Sequence, residues 1–178
     1  MMTETTSLIL EEWNGMELQA AAAAILPCNG SLAWAVGVAK LRPFAAAEAL
    51  FAASDEVWGE LSEADWQEAF DSHPRIGEHK AKAATEKSLA WSSGEQSAAQ
   101  LTEETQVHLA AANRVYEETF GRIFIVCASG KSADEMLEIL RGRLANDAET
   151  ELLEAAEQQR QITQIRLRKW LQSLQEVK

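Results

Sequence analysis

The chain has 178 residues, of which 47% are hydrophobic, and its formal net charge is −12 at pH 7. This composition is typical of one folded globular domain with a buried core, and the acidic balance argues against a nucleic-acid or anionic-membrane surface. No apolar run approaches the roughly 20 residues that span a bilayer, and the first residues lack the basic start of a secretory signal.

The cysteines and histidines give no support to a metal or redox site. Cys28 and Cys127 fit neither a zinc spacing nor a dense disulfide framework, so we expect buried free thiols and a cytoplasmic protein. The three histidines are not at metal-ligand spacing. A Rossmann fingerprint and a Gly-x-Ser-x-Gly elbow are also missing from the sequence. We therefore predict no metal and no cofactor.

Helix signals dominate the first part of the chain. Asn14 with Glu17 three residues later resembles a capping box that opens an alanine-rich helix, and this helix should stop before Pro27. The Cys-Asn-Gly sequence at 28–30 predicts a turn, after which Ser31 can cap the next helix.

Two more helices are predicted before the first long loop. Pro43 suits the first position of a helix, and Ser62 with Asp65 begins a shorter helix that ends near Asp71. From 74 to 90 the apolar periodicity fails, which predicts a long polar loop, and loops of this length are often functional.

The second half of the chain also reads as helices. One helix is predicted from about residue 93 towards 120, with Gly121 as its stop. Ser132 with Glu135 resembles a capping box for the next helix, and a long last helix runs over about 149–172.

The segment Ile123–Cys127 is β-branched and continuously apolar, a pattern that usually indicates a buried strand. No second strand of similar quality exists to pair with it. We therefore interpret it as an extended buried connector whose backbone polar groups need other partners, some of which a ligand could supply. The predicted fold is all-α, a single-domain helical bundle over 1–178 with one short extended connector.

His73 is the first candidate for chemistry. Pro74 pushes the residue before it out of the α region, so His73 should sit in an extended turn after the helix. Histidine can act as both acid and base near neutral pH. The alternative is a histidine that only satisfies a local turn. His79 and His108 are interpreted as solvated surface residues.

Glu95 is the second candidate. It follows Ser92 by three residues, which is the spacing of a capping box, and this alone could explain it. A carboxylate in the first turn of a helix is also stabilised as an anion, so it could accept ligand N–H groups or partner an imidazolium. The two interpretations are compatible.

Arg166 is the third candidate. It lies on the side of the last helix nearer the apolar stripe, and an inward-pointing arginine usually pairs with a carboxylate of the protein or of a ligand. Lys131 follows Gly130 as in the tail of a phosphate loop, but the required spacing is absent, so a turn into the next helix is the better interpretation.

Ordered blocks of sequence cover nearly the whole chain: Pro27-Cys28-Asn29-Gly30-Ser31, Arg42-Pro43-Phe44, His73-Pro74-Arg75-Ile76-Gly77, Trp91-Ser92-x-x-Glu95-Gln96, Phe120-Gly121-x-Ile123-Phe124-Ile125-Val126-Cys127-Ala128-x-Gly130-Lys131-Ser132 and Glu157-Gln158…Ile162…Arg166-Leu167. These blocks resemble the 2-oxo-4-hydroxy-4-carboxy-5-ureidoimidazoline decarboxylases. The resemblance implies an all-helical, cofactor-free enzyme of purine catabolism, usually a homodimer, that removes CO2 in the last step from urate to (S)-allantoin.

The resemblance also implies which residues form the site. It identifies His73 and Glu95 as catalytic. It further implies contacts with the ureidoimidazoline substrate from Pro74, Ser92, Gln96, Ile125, Val126, Cys127, Ala128 and Arg166.

These assignments suggest a division of labour. His73 would handle the hydroxyl proton or supply a proton on one face, Glu95 would hold ring or ureido N–H groups, and Arg166 would bind an anionic oxygen. The alternative is a non-catalytic helical module that binds a urea-like or purine-like ligand, or a partner helix, without turnover.

Overall fold

The computed structural model describes residues 2–75 and 103–173. In these ranges the chain is helical and contains no strand, which confirms the all-α prediction. The described α-helices are α1 (Met2–Asn14), α2 (Leu18–Ile25), α3 (Leu32–Lys40), α4 (Ala47–Glu60), α5 (Glu63–Asp71), α6 (Glu103–Phe120), α7 (Ala133–Arg143) and α8 (Ala148–Gln172), with a 3-10 turn at Leu26–Cys28. None of the described helices is both long and apolar enough to cross a membrane.

The chain divides into two compact units, residues 1–66 with 160–178 and residues 67–159. Helix α8 therefore contributes its first half to the second unit and its second half to the first unit. That the whole chain forms a single domain stays a prediction.

The core of the first unit is built around tryptophans. Trp13 is fully buried, stacks on Phe44 with ring centroids 6.0 Å apart, and meets Trp170 edge-on at 5.6 Å. Trp34, also fully buried, donates its indole N–H to Ser54 Oγ at 3.2 Å. Each ring buries a large apolar area while its N–H finds an acceptor, which is the usual arrangement for a core tryptophan.

Helices α3 and α4 approach each other closely at Gly37. A Cβ atom added there would lie 2.8 Å from Val57 Cγ1, so the valine side chain or one of the two helices would have to shift. Gly37 thus permits this close packing, although glycine lowers intrinsic helix stability by about 1 kcal/mol relative to alanine.

Asn14 does not cap the alanine-rich helix, so that part of the prediction was wrong. Helix α2 starts after Glu17, whose side chain makes no capping hydrogen bond. Asn14 is instead the last residue of α1, where its Nδ2 donates to the Phe44 C=O at 2.9 Å and its Oδ1 accepts the Phe44 N–H at 3.0 Å. The Asn14 side chain, which the local pattern assigned to a helix cap, is thus bound to the backbone of a distant residue.

Pro43 does not open a helix, because α4 begins only at Ala47. The Arg42–Pro43 peptide bond is cis. The Arg42 guanidinium donates from Nη1 to the carbonyls of Trp13 at 2.6 Å and Met16 at 2.9 Å. This segment is thus tied to the end of α1 as a non-helical connection, for which the local sequence gave no signal.

Two predicted helix boundaries of the second unit are confirmed, while the predicted helix start near residue 93 lies outside the described residues. Ser132 Oγ accepts the Glu135 N–H at 3.1 Å at the start of α7, as expected for a capping box. Gly121 follows α6 with a φ of 72° and donates its N–H to the Glu117 C=O at 2.8 Å. Both are confirmed, as is the Ser62 cap of α5, which accepts the Asp65 N–H in the first unit. The apolar core of the second unit comprises Leu109, Tyr116, Phe124, Val126, Ala128, Ala133, Met136, Leu137 and Leu140.

Candidate functional site

His73 lies in a turn directly after α5, as the sequence predicts. The helix ends at Asp71, and the His73 N–H donates to the Phe70 C=O at 3.1 Å. The Ser72 hydroxyl donates to the Ala69 C=O at 2.6 Å and fixes the same turn. His73 is only 9% exposed and Pro74 is buried, so the histidine is held within the protein rather than in solvent.

Gln159, on α8, fixes one nitrogen of this histidine. Its Oε1 atom lies 2.6 Å from His73 Nε2, and the glutamine is fully buried. An amide oxygen can only accept a hydrogen bond, so Nε2 carries the hydrogen in both the neutral and the charged ring. The proton that the ring gains and loses is therefore the one on Nδ1.

The extended connector is confirmed, and side chains supply the partners that its backbone requires. Arg143 Nη1 donates to the Ile125 C=O at 2.5 Å, and Gln158 Oε1 accepts the Cys127 N–H at 2.9 Å. Lys131 Nζ donates to the Cys127 C=O at 2.8 Å. None of these bonds uses the N–H or C=O group of Val126.

A buried ion pair between Arg143 and Glu151 holds the arginine that binds the connector. Glu151 is fully buried, and its Oε1 accepts from Arg143 Nε at 2.7 Å and from the Tyr116 hydroxyl at 2.5 Å. Asn146 Nδ2 donates to the other oxygen at 3.0 Å. Burial, followed by the hydrogen bond to Glu151, raises the pKa of Tyr116, so its hydroxyl stays a donor at physiological pH. The position of the Ile125 carbonyl therefore depends on a carboxylate 26 residues further along the chain (151 − 125 = 26).

Arg166 belongs to the first unit and is fully buried there, as expected for an inward-facing arginine. Its Nη1 donates to the Pro27 C=O at 3.3 Å. In the same unit Asn29 Nδ2 donates to Thr163 Oγ1 at 3.0 Å and Asn29 Oδ1 accepts the Ser31 N–H. That Arg166 shares a pocket with His73 stays a prediction.

Three other predicted site residues, Ser92, Glu95 and Gln96, fall outside the described residues. The loop predicted over 78–90 and His79, predicted as a surface residue, also lie outside them. His108 is exposed on α6, as predicted. Cys28 and Cys127 are buried free thiols, also as predicted.

Three residues around the connector and the histidine had no predicted role. Gln159 and Arg143 are polar residues buried on helices, and Gln158 was part of a matching block without an assigned contact. The only sequence signal was their position: each is a long polar side chain on a helix face that also carries buried apolar residues. Such a side chain must find a partner inside the protein.

These features define a class of protein, namely an all-helical chain in which two consecutive glutamines of α8 bind a buried histidine and the backbone of a non-helical segment. Residues 14–168 match the family model described as OHCU decarboxylase. The chain belongs to this family. OHCU abbreviates the 2-oxo-4-hydroxy-4-carboxy-5-ureidoimidazoline named above.

Two curated proteins are similar in sequence. Uric acid degradation bifunctional protein TTL of Arabidopsis thaliana is 36% identical over 144 residues, which are 80% of this chain and 44% of the relative. Uric acid degradation bifunctional protein of Bacillus sp. (strain TB-90) is 28% identical over 129 residues, 71% of this chain and 24% of that protein. The chain thus spans less than half the length of the curated relatives it matches.

Two solved structures share the fold. A crystal structure of OHCU decarboxylase in the presence of (S)-allantoin superposes with a TM-score of 0.72 and 32% identity, covering 83% of this chain and 96% of the other. A crystal structure of (S)-allantoin synthase superposes with a TM-score of 0.67 over 89% of this chain and 52% of the other. At 19% identity the second likeness concerns the fold alone.

Proposed function

We propose that this chain decarboxylates OHCU to (S)-allantoin without a cofactor. The observation that carries the proposal is the buried His73 ring, whose Nε2 is fixed 2.6 Å from Gln159 Oε1 in a chain of the OHCU decarboxylase family. A histidine with one nitrogen committed to a protein acceptor is prepared to exchange a proton through the other nitrogen.

The reaction requires an electron sink, which gains a proton, and two further proton movements. The bond between the ring carbon and its carboxylate breaks, CO2 leaves, and the released electron pair forms a C=C bond to the adjacent ring carbon. The electron pair of the neighbouring C=N bond moves to the ring nitrogen, which takes up a proton, and the product of this step is an enol. The enol hydroxyl then loses its proton as the carbonyl forms, and the adjacent ring carbon gains a proton on one face. Chirality of the product depends on which face receives that proton.

His73 is the group proposed to move these protons. Its Nδ1 can take the hydroxyl proton as the carbonyl forms and return a proton to the ring carbon, because a neutral imidazole is a base and an imidazolium an acid near neutral pH. The fixed ring plane restricts delivery to one face of the substrate, which would make the product optically active.

The remaining predicted residues are proposed to bind the substrate. The peptide groups of Val126, within the segment 125–128, would hydrogen-bond the ring or its ureido group, since the described bonds of that segment leave them available. Glu95 would accept N–H groups, and Arg166 would bind an anionic oxygen. Pro74, Ser92 and Gln96 would complete the contacts.

We also propose a single decarboxylase-like domain that acts as a cytoplasmic homodimer. The family model supports the single domain because its match, 14–168, runs through both compact units. Gel filtration with light scattering tests the dimer: a mass of about twice 19.6 kDa is expected, and a mass near 19.6 kDa would contradict it.

Fresh substrate tests the activity against the non-catalytic alternative. An enzyme should release CO2 faster than the spontaneous reaction and yield optically active allantoin, which polarimetry detects directly. A binding module would give only the slow spontaneous reaction with racemic product, and that result would refute the proposal.

A further inference from the structure

Arg122 is a half-buried cation for which the described contacts supply no anionic partner. It follows Gly121 in the turn after α6, and its Nε and Nη1 atoms are both buried without a hydrogen-bond partner in the described part of the chain. Its guanidinium carbon lies 6.0 Å from the centre of the Phe70 ring. Because buried N–H donors without a partner are costly, two such donors on a cation favour an anionic ligand beside them.

Other cations of the same unit have clear partners. Arg75 Nε lies 2.8 Å from Glu117 Oε1, and Arg143 pairs with the buried Glu151. Lys131 Nζ donates to a backbone carbonyl of the connector. Arg143 Nη2 also lacks a hydrogen-bond partner, but it lies 2.5 Å from the Glu151 carboxylate. Arg122 has two buried donors without a partner and no ion pair among the described residues.

The position of Arg122 links it to the candidate site within one unit. The ring beside Arg122 belongs to Phe70, whose backbone C=O accepts the His73 N–H at 3.1 Å. In the other direction Arg122 leads directly into the connector, where none of the bonds described above uses the peptide groups of Val126. Arg122 thus contacts the side chain of the residue three positions before His73 and precedes the connector in the chain.

We propose that Arg122 binds the carboxylate of the substrate and discriminates it from the product. This inference rests on the proposed function. The carboxylate is the negative charge that the substrate carries, and charge-assisted hydrogen bonds from arginine are the strong way to hold it. When the carboxylate leaves as neutral CO2, Arg122 loses its anion, so the product is held less tightly than the substrate.

This role makes a specific kinetic prediction. The contact is strongest in the ground state and weakens as CO2 forms, so its removal should raise KM without lowering kcat. Arg122→Met should raise KM for OHCU about 10- to 100-fold, the range expected for a hydrogen bond to a charged group. The inhibition constant of (S)-allantoin, which lacks the carboxylate, should stay within about twofold.

Two further variants serve as controls, one at an exposed arginine and one that replaces Arg122 with a neutral donor. Arg114→Met removes an exposed arginine of α6 and should leave both constants unchanged. Arg122→Gln keeps hydrogen-bond donors but removes the charge, and it should show the same rise in KM even if the methionine variant does not fold. The melting temperature of ligand-free Arg122→Met should equal or exceed that of the wild type, because an unpaired buried cation is removed.

The outcomes separate this inference from the proposed function. Wild-type turnover with an unchanged KM in both Arg122 variants overturns the role of Arg122 and leaves the activity intact. An equal rise in KM and in the allantoin inhibition constant also overturns it, because the effect would not depend on the carboxylate. Absence of turnover in the wild type refutes the proposed function, and the carboxylate assignment falls with it.

Discussion

Gln159 Oε1 and His73 Nε2 lie 2.6 Å apart although the two residues are 86 positions apart in the chain. The contact joins the turn after α5 to the first half of α8, and both side chains are buried. It fixes which nitrogen of the histidine keeps its hydrogen. The chemistry proposed for His73 therefore depends on a residue that no local motif indicates.

Two substitutions of Gln159, one to glutamate and one to leucine, should shift the pH dependence of kcat/KM in opposite directions. Gln159→Glu places a carboxylate against the Nε2 hydrogen and favours the imidazolium, so the limb of the kcat/KM profile that reports His73 should shift to higher pH. Gln159→Leu removes the acceptor in a buried site and should shift the same limb to lower pH. Gln106→Leu, at an exposed glutamine of α6, is the matched control. Shifts in the same direction would contradict the assignment.

Loss of Glu151 should destabilise the second unit strongly. Glu151→Ala leaves Arg143 buried without its anion and Tyr116 without its acceptor, which should lower the free energy of unfolding by about 3–5 kcal/mol. Urea denaturation measures this change, with Glu149→Ala as the exposed control on the same helix. A loss below about 1 kcal/mol, the scale of a surface pair, would show that the network contributes little.

Gln158→Leu should loosen the connector without unfolding the protein. The variant leaves the Cys127 N–H buried and unpaired, at a cost of about 1–3 kcal/mol. Amide hydrogen exchange at Cys127 should become faster, while exchange in the core of α7 should change only by the global loss of stability. Unchanged exchange at Cys127 would mean that the glutamine does not hold this backbone.

The start of α8 should become less stable in acid. Asp147 Oδ1 accepts the Thr150 N–H at 2.7 Å, and this hydrogen bond holds the pKa of the Asp147 carboxyl below its usual range. A carboxyl with a lowered pKa in the folded state stabilises the protein above its unfolded pKa and loses this effect as pH falls through the folded value. Asp147→Ala should thus melt below the wild type at pH 7, and the difference should shrink in acid. A constant difference across this range would contradict the capping role.

The parts of the fold that were predictable depend on local chemistry. The Ser31, Ser62 and Ser132 caps and the Gly121 stop each involve residues within four positions of one another, so the sequence contains the whole interaction. The Asn14 cap failed because its side chain binds Phe44, 30 residues away. A local pattern cannot show that a distant backbone competes for the same atoms.

In the candidate site, too, features set by local chemistry were predictable and contacts between distant residues were not. Pro74 restricts the backbone of His73 through local sterics, so the turn at His73 followed from the sequence, whereas its burial depends on the tertiary packing. The need for partners along Ile123–Cys127 was also predictable, because a lone extended segment has no ladder. The identity of those partners was not, since Arg143 and Gln158 reach the connector from two different helices. Their presence at the connector is a property of the tertiary packing.

The central claim is that His73 moves the protons of the decarboxylation. The most direct measurement follows CO2 release and optical rotation from fresh OHCU with the His73→Gln variant, alongside His108→Gln at the exposed histidine of α6. We expect His73→Gln to remain folded, to release CO2 only at the spontaneous rate and to give racemic allantoin, while His108→Gln behaves as the wild type. Wild-type turnover of optically active product by His73→Gln would contradict the account.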